Sequence, residues 1–140
     1  MTDQDRSPPS RGPVRQTALL SASFTRDNFG ALRHVIAAQA AAAGLSGDRL
    51  EDFVLAVNEL IINAVRHGGG RGSVLIRPRG HVALTCEIRD YGGPSQLPRI
   101  PDNPPTGVGG RGLWLARRVT DALTLQSTNR GLTATVTMAL

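Results

Sequence analysis

Apolar residues between Leu50 and Val65 recur three and four positions apart: Leu50, Phe53, Val54, Val57, Leu60, Ile61, Ala64 and Val65. This is the period of a helix with one buried stripe. Asp48 with Glu51 three residues on predicts a capping box at its start, and Gly68-Gly69-Gly70 predicts its end. An earlier helix is expected from Arg26, capped by Thr25, through Phe29, Leu32, Val35 and Ile36 to a stop at Gly44. Strand patterns occupy 16–24, 73–79 and 81–89, the last placing Val82, Leu84, Cys86 and Ile88 on one face. Pro78-Arg79-Gly80 suits a turn between the second and third strands, and Pro78, lacking an N–H, predicts that pairing ends there.

From Asp90 to Arg111 the periodicity vanishes, and five prolines and five glycines take over. A structureless stretch of about 20 residues exceeds the usual connection and is expected to be a lid or binding loop. Residues 112–121 then predict a short helix, and 123–127 with 133–138 a closing hairpin turned by Asn129-Arg130-Gly131. Hairpins with helices between them predict an α+β fold, a two-layer α/β sandwich with a mixed, mostly antiparallel sheet and helices on one face. Residues 1–15, rich in Ser, Pro, Arg and Gly, are expected to be a disordered leader, and 16–140 a single domain.

Composition narrows the chemistry. Every basic residue is Arg, which removes a Walker A lysine, a eukaryote-type kinase lysine and Schiff-base chemistry. The net charge of +5 would suit an acidic partner or nucleic acid. The arginines are scattered along the chain, however, and besides one Trp there are only three Phe and one Tyr, too few for a stacking platform. Direct nucleic-acid binding is therefore not expected. No apolar run is long enough to span a membrane and no signal peptide is evident. With its single cysteine, Cys86, the chain is expected to be cytoplasmic.

Three stretches carry candidate chemistry. Glu59 and Asn63 stand four apart, so a helix stacks them on one face, roughly 6 Å apart along its axis. They are either a solvated polar pair or a general base beside an amide oxygen able to hold Mg²⁺. Asp90-Tyr91-Gly92-Gly93 closes a strand and is either an ordinary turn or an acceptor for an amine on a bound base. Gly107-Val-Gly-Gly-Arg-Gly112 matches G-x-G-x-x-G, but it follows a proline-rich loop and lacks the acidic residue a dinucleotide site needs about 20 positions on. What survives is a glycine-rich approach to a helix N-terminus, suited to an anion or simply to a hinge, with Arg111 in its middle.

In this order the three stretches resemble the N, G1 and G2 boxes of the GHKL ATPase/kinase superfamily, which includes gyrase and histidine kinases and has the Bergerat α/β sandwich fold. The short length and the Gly-Gly-Arg-Gly-Leu-Trp-Leu run are most similar to the anti-sigma-factor serine kinases, also described as histidine-kinase-like ATP-binding proteins. The resemblance implies ATP and Mg²⁺ as cofactors. It implies Asn63 as the metal ligand, Glu59 as the base that activates an acceptor serine, and Asp90 as the acceptor for the adenine amine, with Gly92 leaving space for the ring. Gly109, Gly110, Arg111 and Gly112 would wrap the phosphates, Leu113 would line the pocket, His67 would lie near phosphates or ribose, and Thr135 would contact the adenine end. Two departures stand out: Pro94 replaces the second glycine of the D-x-G-x-G box, and the closing strand begins Leu132-Thr133 rather than Gly-Thr.

The expected function is a Mg²⁺/ATP-dependent protein serine/threonine kinase acting as an anti-sigma factor. Its partners would be a sigma factor and a small antagonist protein that it phosphorylates, and a homodimer is possible within the resemblance. The competing expectation, motivated by Pro94, is a non-catalytic interaction module gated by nucleotide.

Overall fold

The computed structural model describes residues 17–93, 96–106 and 111–140. The expected leader, Pro94 and the glycines from 107 to 110 lie outside the described residues. Five strands, β1 (Leu20–Thr25), β2 (Arg71–Arg79), β3 (Ala83–Asp90), β4 (Ala122–Ser127) and β5 (Leu132–Ala139), form one sheet in the order β1-β2-β3-β5-β4. Every neighbouring pair is antiparallel, so the parallel component allowed for in a mixed sheet is absent among these strands. Helices α1 (Leu32–Ala42), α2 (Gly47–His67) and α3 (Arg111–Val119) complete an α+β sandwich.

The period-two alternation decides which face is covered. Val74 and Ile76 of β2, Leu84, Cys86 and Ile88 of β3, and Ala134, Val136 and Met138 of β5 are buried and join Phe53, Val57, Leu60, Ile61 and Ala64 of α2 in one core. Burying each of the Val, Ile, Leu, Phe and Met side chains contributes roughly 1.5–3 kcal/mol. α2 is the central helix, touching α1, α3 and three strands. Cys86 is fully enclosed, and burial pushes its thiol pKa up, so it behaves as a small apolar core residue.

Several boundaries shift for local physical reasons. The first strand begins at Leu20 rather than at 16. Thr25 does not cap a helix at Arg26; its hydroxyl accepts from Asp27 N while its own N–H donates to Asn28 Oδ1. That turn leads into a short 3₁₀ segment, Phe29–Ala31, before α1 begins. The Asp48–Glu51 capping box does not form, because α2 starts two residues earlier, with Ser46 at its N-cap and Asp48 already in the first turn. Asp48 still suits the positive end of the helix dipole, as Arg66 and His67 suit the negative end.

Pro78 does not end pairing, since it stands opposite Leu84 and Arg79 stands opposite Ala83. The backbone of Ile76 faces β1, accepting from Leu19 N, so Pro78, two residues on, turns its missing N–H to the side where β1 has already ended. Val82 is the other exception: it sits in the turn, 71% exposed, while Leu84 beyond it is fully buried.

Candidate functional site

Asp90 is the last residue of β3, and its carboxylate is fixed by backbone geometry. Oδ1 accepts from Gly92 N at 3.2 Å and from Leu132 N at 3.1 Å. A second tie, Gly93 N to Arg130 O at 2.7 Å, holds the segment after β3 against the β4–β5 turn. With Oδ1 anchored by two amides, the other oxygen of this acceptor-only group is left for a ligand donor.

The glycines around Asp90 are there because chain segments touch. A Cβ on Gly68 would overlap the Asp90 side chain, and one on Gly131 would overlap its Oδ1. A Cβ on Gly92 would lie 2.8 Å from the Gly68 carbonyl carbon. Gly92 thus makes room for the backbone at the end of α2, and it is absent from the cavity lining. Gly69 turns the chain off the helix with φ of 87°, a value that side chains rarely tolerate.

Beside Asp90 opens a cavity of about 260 Å³ lined by Asn63 and His67 of α2, Gln96, Pro98 and Arg99 of the lid, Leu113 of α3, and Leu132 of β5. Its floor continues inward between Leu60, Ala64, Ile88 and Ala134. A wall of apolar side chains with a few convergent polar groups is the usual make-up of a small-molecule site. The expected residues Asn63, His67, Asp90 and Leu113 therefore meet in one place.

Glu59 stands apart from that lining. It is half-buried one turn before Asn63, with Oε1 3.0 Å from where a Cβ on Gly112 would be. Gly112 thus lets the N-terminal end of α3 lie against the Glu59 carboxylate. Arg111 is not in the cavity: it is exposed, and its guanidinium donates to Pro105 O at 3.3 Å. Together with Arg117, which donates to Pro101 O at 2.8 Å, it ties the 96–106 loop to α3. Gly109 and Gly110 lie outside the described residues.

Thr135 is a correction. It pairs with Glu87 and Thr124 and lines a groove on the opposite face of the sheet, while Ala134 and Val136 face the helices. The β5 residue that reaches the cavity is Leu132. Sequence reasoning also missed Gln96, Pro98 and Arg99. No periodic signal marks a residue in a proline-rich loop, whereas Leu132 was flagged by its departure from the usual start of the closing strand.

The residues present fit a nucleotide with its metal. Asp90 offers a fixed acceptor, Arg99 a cation, and Asn63 a hard oxygen. Among the described residues no cluster of three His, Cys, Asp or Glu exists, so a cation at Asn63 would take most of its ligands from phosphate and water. Among the described residues no helix is long and apolar enough to cross a membrane.

A helix polar pair, a strand-end aspartate, a lid and a glycine-led helix on such a sandwich define a GHKL-type nucleotide-binding domain. The chain belongs to the histidine kinase-like ATPase domain family, whose model matches residues 22–139; an ATPase domain of this type binds ATP. Among solved structures it is similar to "the RsbU and RsbW domains of Rv1364c from Mycobacterium tuberculosis", with a TM-score of 0.63 and 19% identity. The match covers 85% of this chain and 31% of that one, so it shows the fold and extends over less than a third of the larger protein. No curated protein sequence gives a significant match.

Proposed function

We propose that this protein is an ATP- and Mg²⁺-dependent serine/threonine kinase acting in the cytoplasm as an anti-sigma factor, with a small serine-bearing antagonist and a sigma factor as partners. The observation that carries the reading is that Asn63 and Asp90 line one cavity, with Glu59 one helical turn before Asn63 on α2 and against the start of α3. Two likenesses supply the class of partner: the Gly-Gly-Arg-Gly-Leu-Trp-Leu run resembles anti-sigma-factor kinases, and the similar mycobacterial structure contains an RsbW domain.

In this reading Asp90 accepts the exocyclic amine of adenine, a donor that guanine lacks at that position. Leu113 and Leu132 flank the base and exclude water. Asn63 would hold Mg²⁺ through its amide oxygen, and the metal would neutralise phosphate charge. Glu59 takes the proton of the acceptor serine hydroxyl as its oxygen bonds to the γ-phosphorus and ADP leaves. Catalysis of this kind is mostly positioning.

A second reading has its own support. Glu59 faces Gly112 rather than the cavity, which suits a nucleotide-gated interaction module with no transfer. Incubation with γ-labelled ATP and the antagonist separates the two. Label on the antagonist that is lost in Glu59→Ala, with ATP affinity retained, supports the kinase. Unimpaired ATP binding without label in the wild type supports the module.

A further inference from the structure

The face of the sheet turned away from the helices carries a segregated charge. Outward-facing positions hold Arg71, Arg77 and Arg79 on β2 and Arg89 on β3, with Arg130 in the β4–β5 turn. The acids beside them are Glu87, already ion-paired with Arg89 at 2.9 Å, and Asp90, whose Oδ1 is held by two backbone amides. The acidic residues of α2, Asp48, Glu51, Asp52 and Glu59, all belong to the helix layer on the other side. Folding therefore gathers arginines that are far apart in the sequence.

At one end of this face is a groove of about 280 Å³, lined by Glu87, Arg89, Gln126, Arg130, Thr133 and Thr135, among others. The register explains its floor: Arg89 is opposite Thr133, which is opposite Gln126, and Glu87 is opposite Thr135, which is opposite Thr124. The floor is thus made of short hydroxyl and amide side chains between two guanidinium groups, a polar surface whose free charge is mostly the guanidinium donors. We propose that this open face is a docking surface for an acidic segment of a partner protein, whose carboxylates pair with Arg89 and Arg130.

Three features favour that occupant. Five arginines against two acids, Glu87 (itself ion-paired) and Asp90, leave the face net positive, so it would repel a second copy of itself. The aromatic residue at the groove, Tyr91, is not free to stack on a base: Arg71 lies over its ring at 5.7 Å and its hydroxyl bonds to Ser73 Oγ at 3.3 Å. Carboxylates match guanidinium forks with paired hydrogen bonds. The groove also shares Asp90 with the cavity on the other face, so the docked segment lies directly behind the residue assigned to adenine. The proposal stands whether or not phosphoryl transfer occurs.

The test uses the full chain and a fluorescent decaglutamate peptide, with oligothymidylate of equal charge as the competing probe. Arg89→Gln/Arg130→Gln is compared with Arg33→Gln/Arg118→Gln, which removes the same charge from the helix layer; circular dichroism and thermal melts check that both fold. The open-face variant is expected to lose at least about tenfold in decaglutamate affinity, and the helix-layer variant less than about twofold. Equal losses in both variants would reduce the effect to net charge and overturn the proposal. Tighter binding of oligothymidylate, lost in the open-face variant, would assign the surface to nucleic acid instead. A wild-type dimer that becomes monomeric in the open-face variant, seen by sedimentation, would assign it to a second copy.

Discussion

The two faces of one sheet do opposite things with the same strands. Toward the helices, β2, β3 and β5 present Val74, Ile76, Leu84, Cys86, Ile88, Val136 and Met138, all essentially removed from water. Away from them, the intervening positions are mostly arginine, threonine and glutamate, with Ser73, Leu75, Ala83 and Ala139 among them, and of these only Ala83 is buried. The covered face sets stability and frames a cavity where α2, α3 and the sheet diverge. The open face contributes little to the core and is free to hold charge. The lesson is that a site made of few polar groups needs the dry face, because an acceptor such as Asp90 discriminates only where water does not compete.

Neighbouring residues of β3 expose this contrast most strongly. Leu84→Ala removes a fully buried side chain and is expected to cost about 2–5 kcal/mol. Thr85→Ala, on the open face with a long 3.4 Å bond to Arg77 O, is expected to cost less than about 1 kcal/mol. Urea unfolding of both variants checks this, and equal losses would erase the distinction between faces.

Gly68→Ala comes next. The added Cβ would run into Asp90, so either the end of α2 or the carboxylate must move. A loss of about 1–3 kcal/mol is expected from overpacking, accompanied by weaker ATP binding in calorimetry. Normal stability and normal affinity together would show that the close approach does not hold Asp90.

The smallest effect lies at the far end of the sandwich. Asp121 accepts from Ala139 N at 2.6 Å and from Arg49 at 2.7 Å, bridging the start of α2 to the end of β5. The backbone bond from Ala139, aided by Arg49, lowers its pKa below the usual aspartate value. A lowered folded-state pKa means that the stabilisation is fully present above the unfolded value, about 3.9. It is lost as pH falls through the folded value. Asp121→Ala is therefore expected to cost about 0.5–1 kcal/mol at neutral pH, a small figure because the pair is exposed. The gap between variant and wild type in denaturant midpoint should close in acid; a gap that widens there would contradict the sign.

Legibility in the sequence followed the same division. α2 could be read because a stripe of eight apolar residues at helical spacing has one way to be buried, and Asp90 because it ends a strand beside glycines. Thr135 was misplaced because moving one residue along a strand reverses the face; the alternation of threonine with Ala134, Val136 and Met138 is the local signal that puts Thr135 on the open side. The approach of Gly92 to Gly68 could not be read from the sequence, because only the folded chain brings the two together. Arg99 gave no signal within its loop, and the open-face arginines appeared scattered because β-pairing, rather than sequence proximity, brings them together.

The central claim is that nucleotide binds on the covered face, at Asp90, and not on the open one. ATP titration by calorimetry in the presence of Mg²⁺, with Asp90→Ala beside Thr135→Ala, tests it most directly. Asp90→Ala is expected to lose at least about tenfold in affinity, the loss of one hydrogen bond to a charged acceptor, while Thr135→Ala stays within about twofold of wild type. Equal affinities for Asp90→Ala and wild type, or a loss confined to Thr135→Ala, would contradict the assignment.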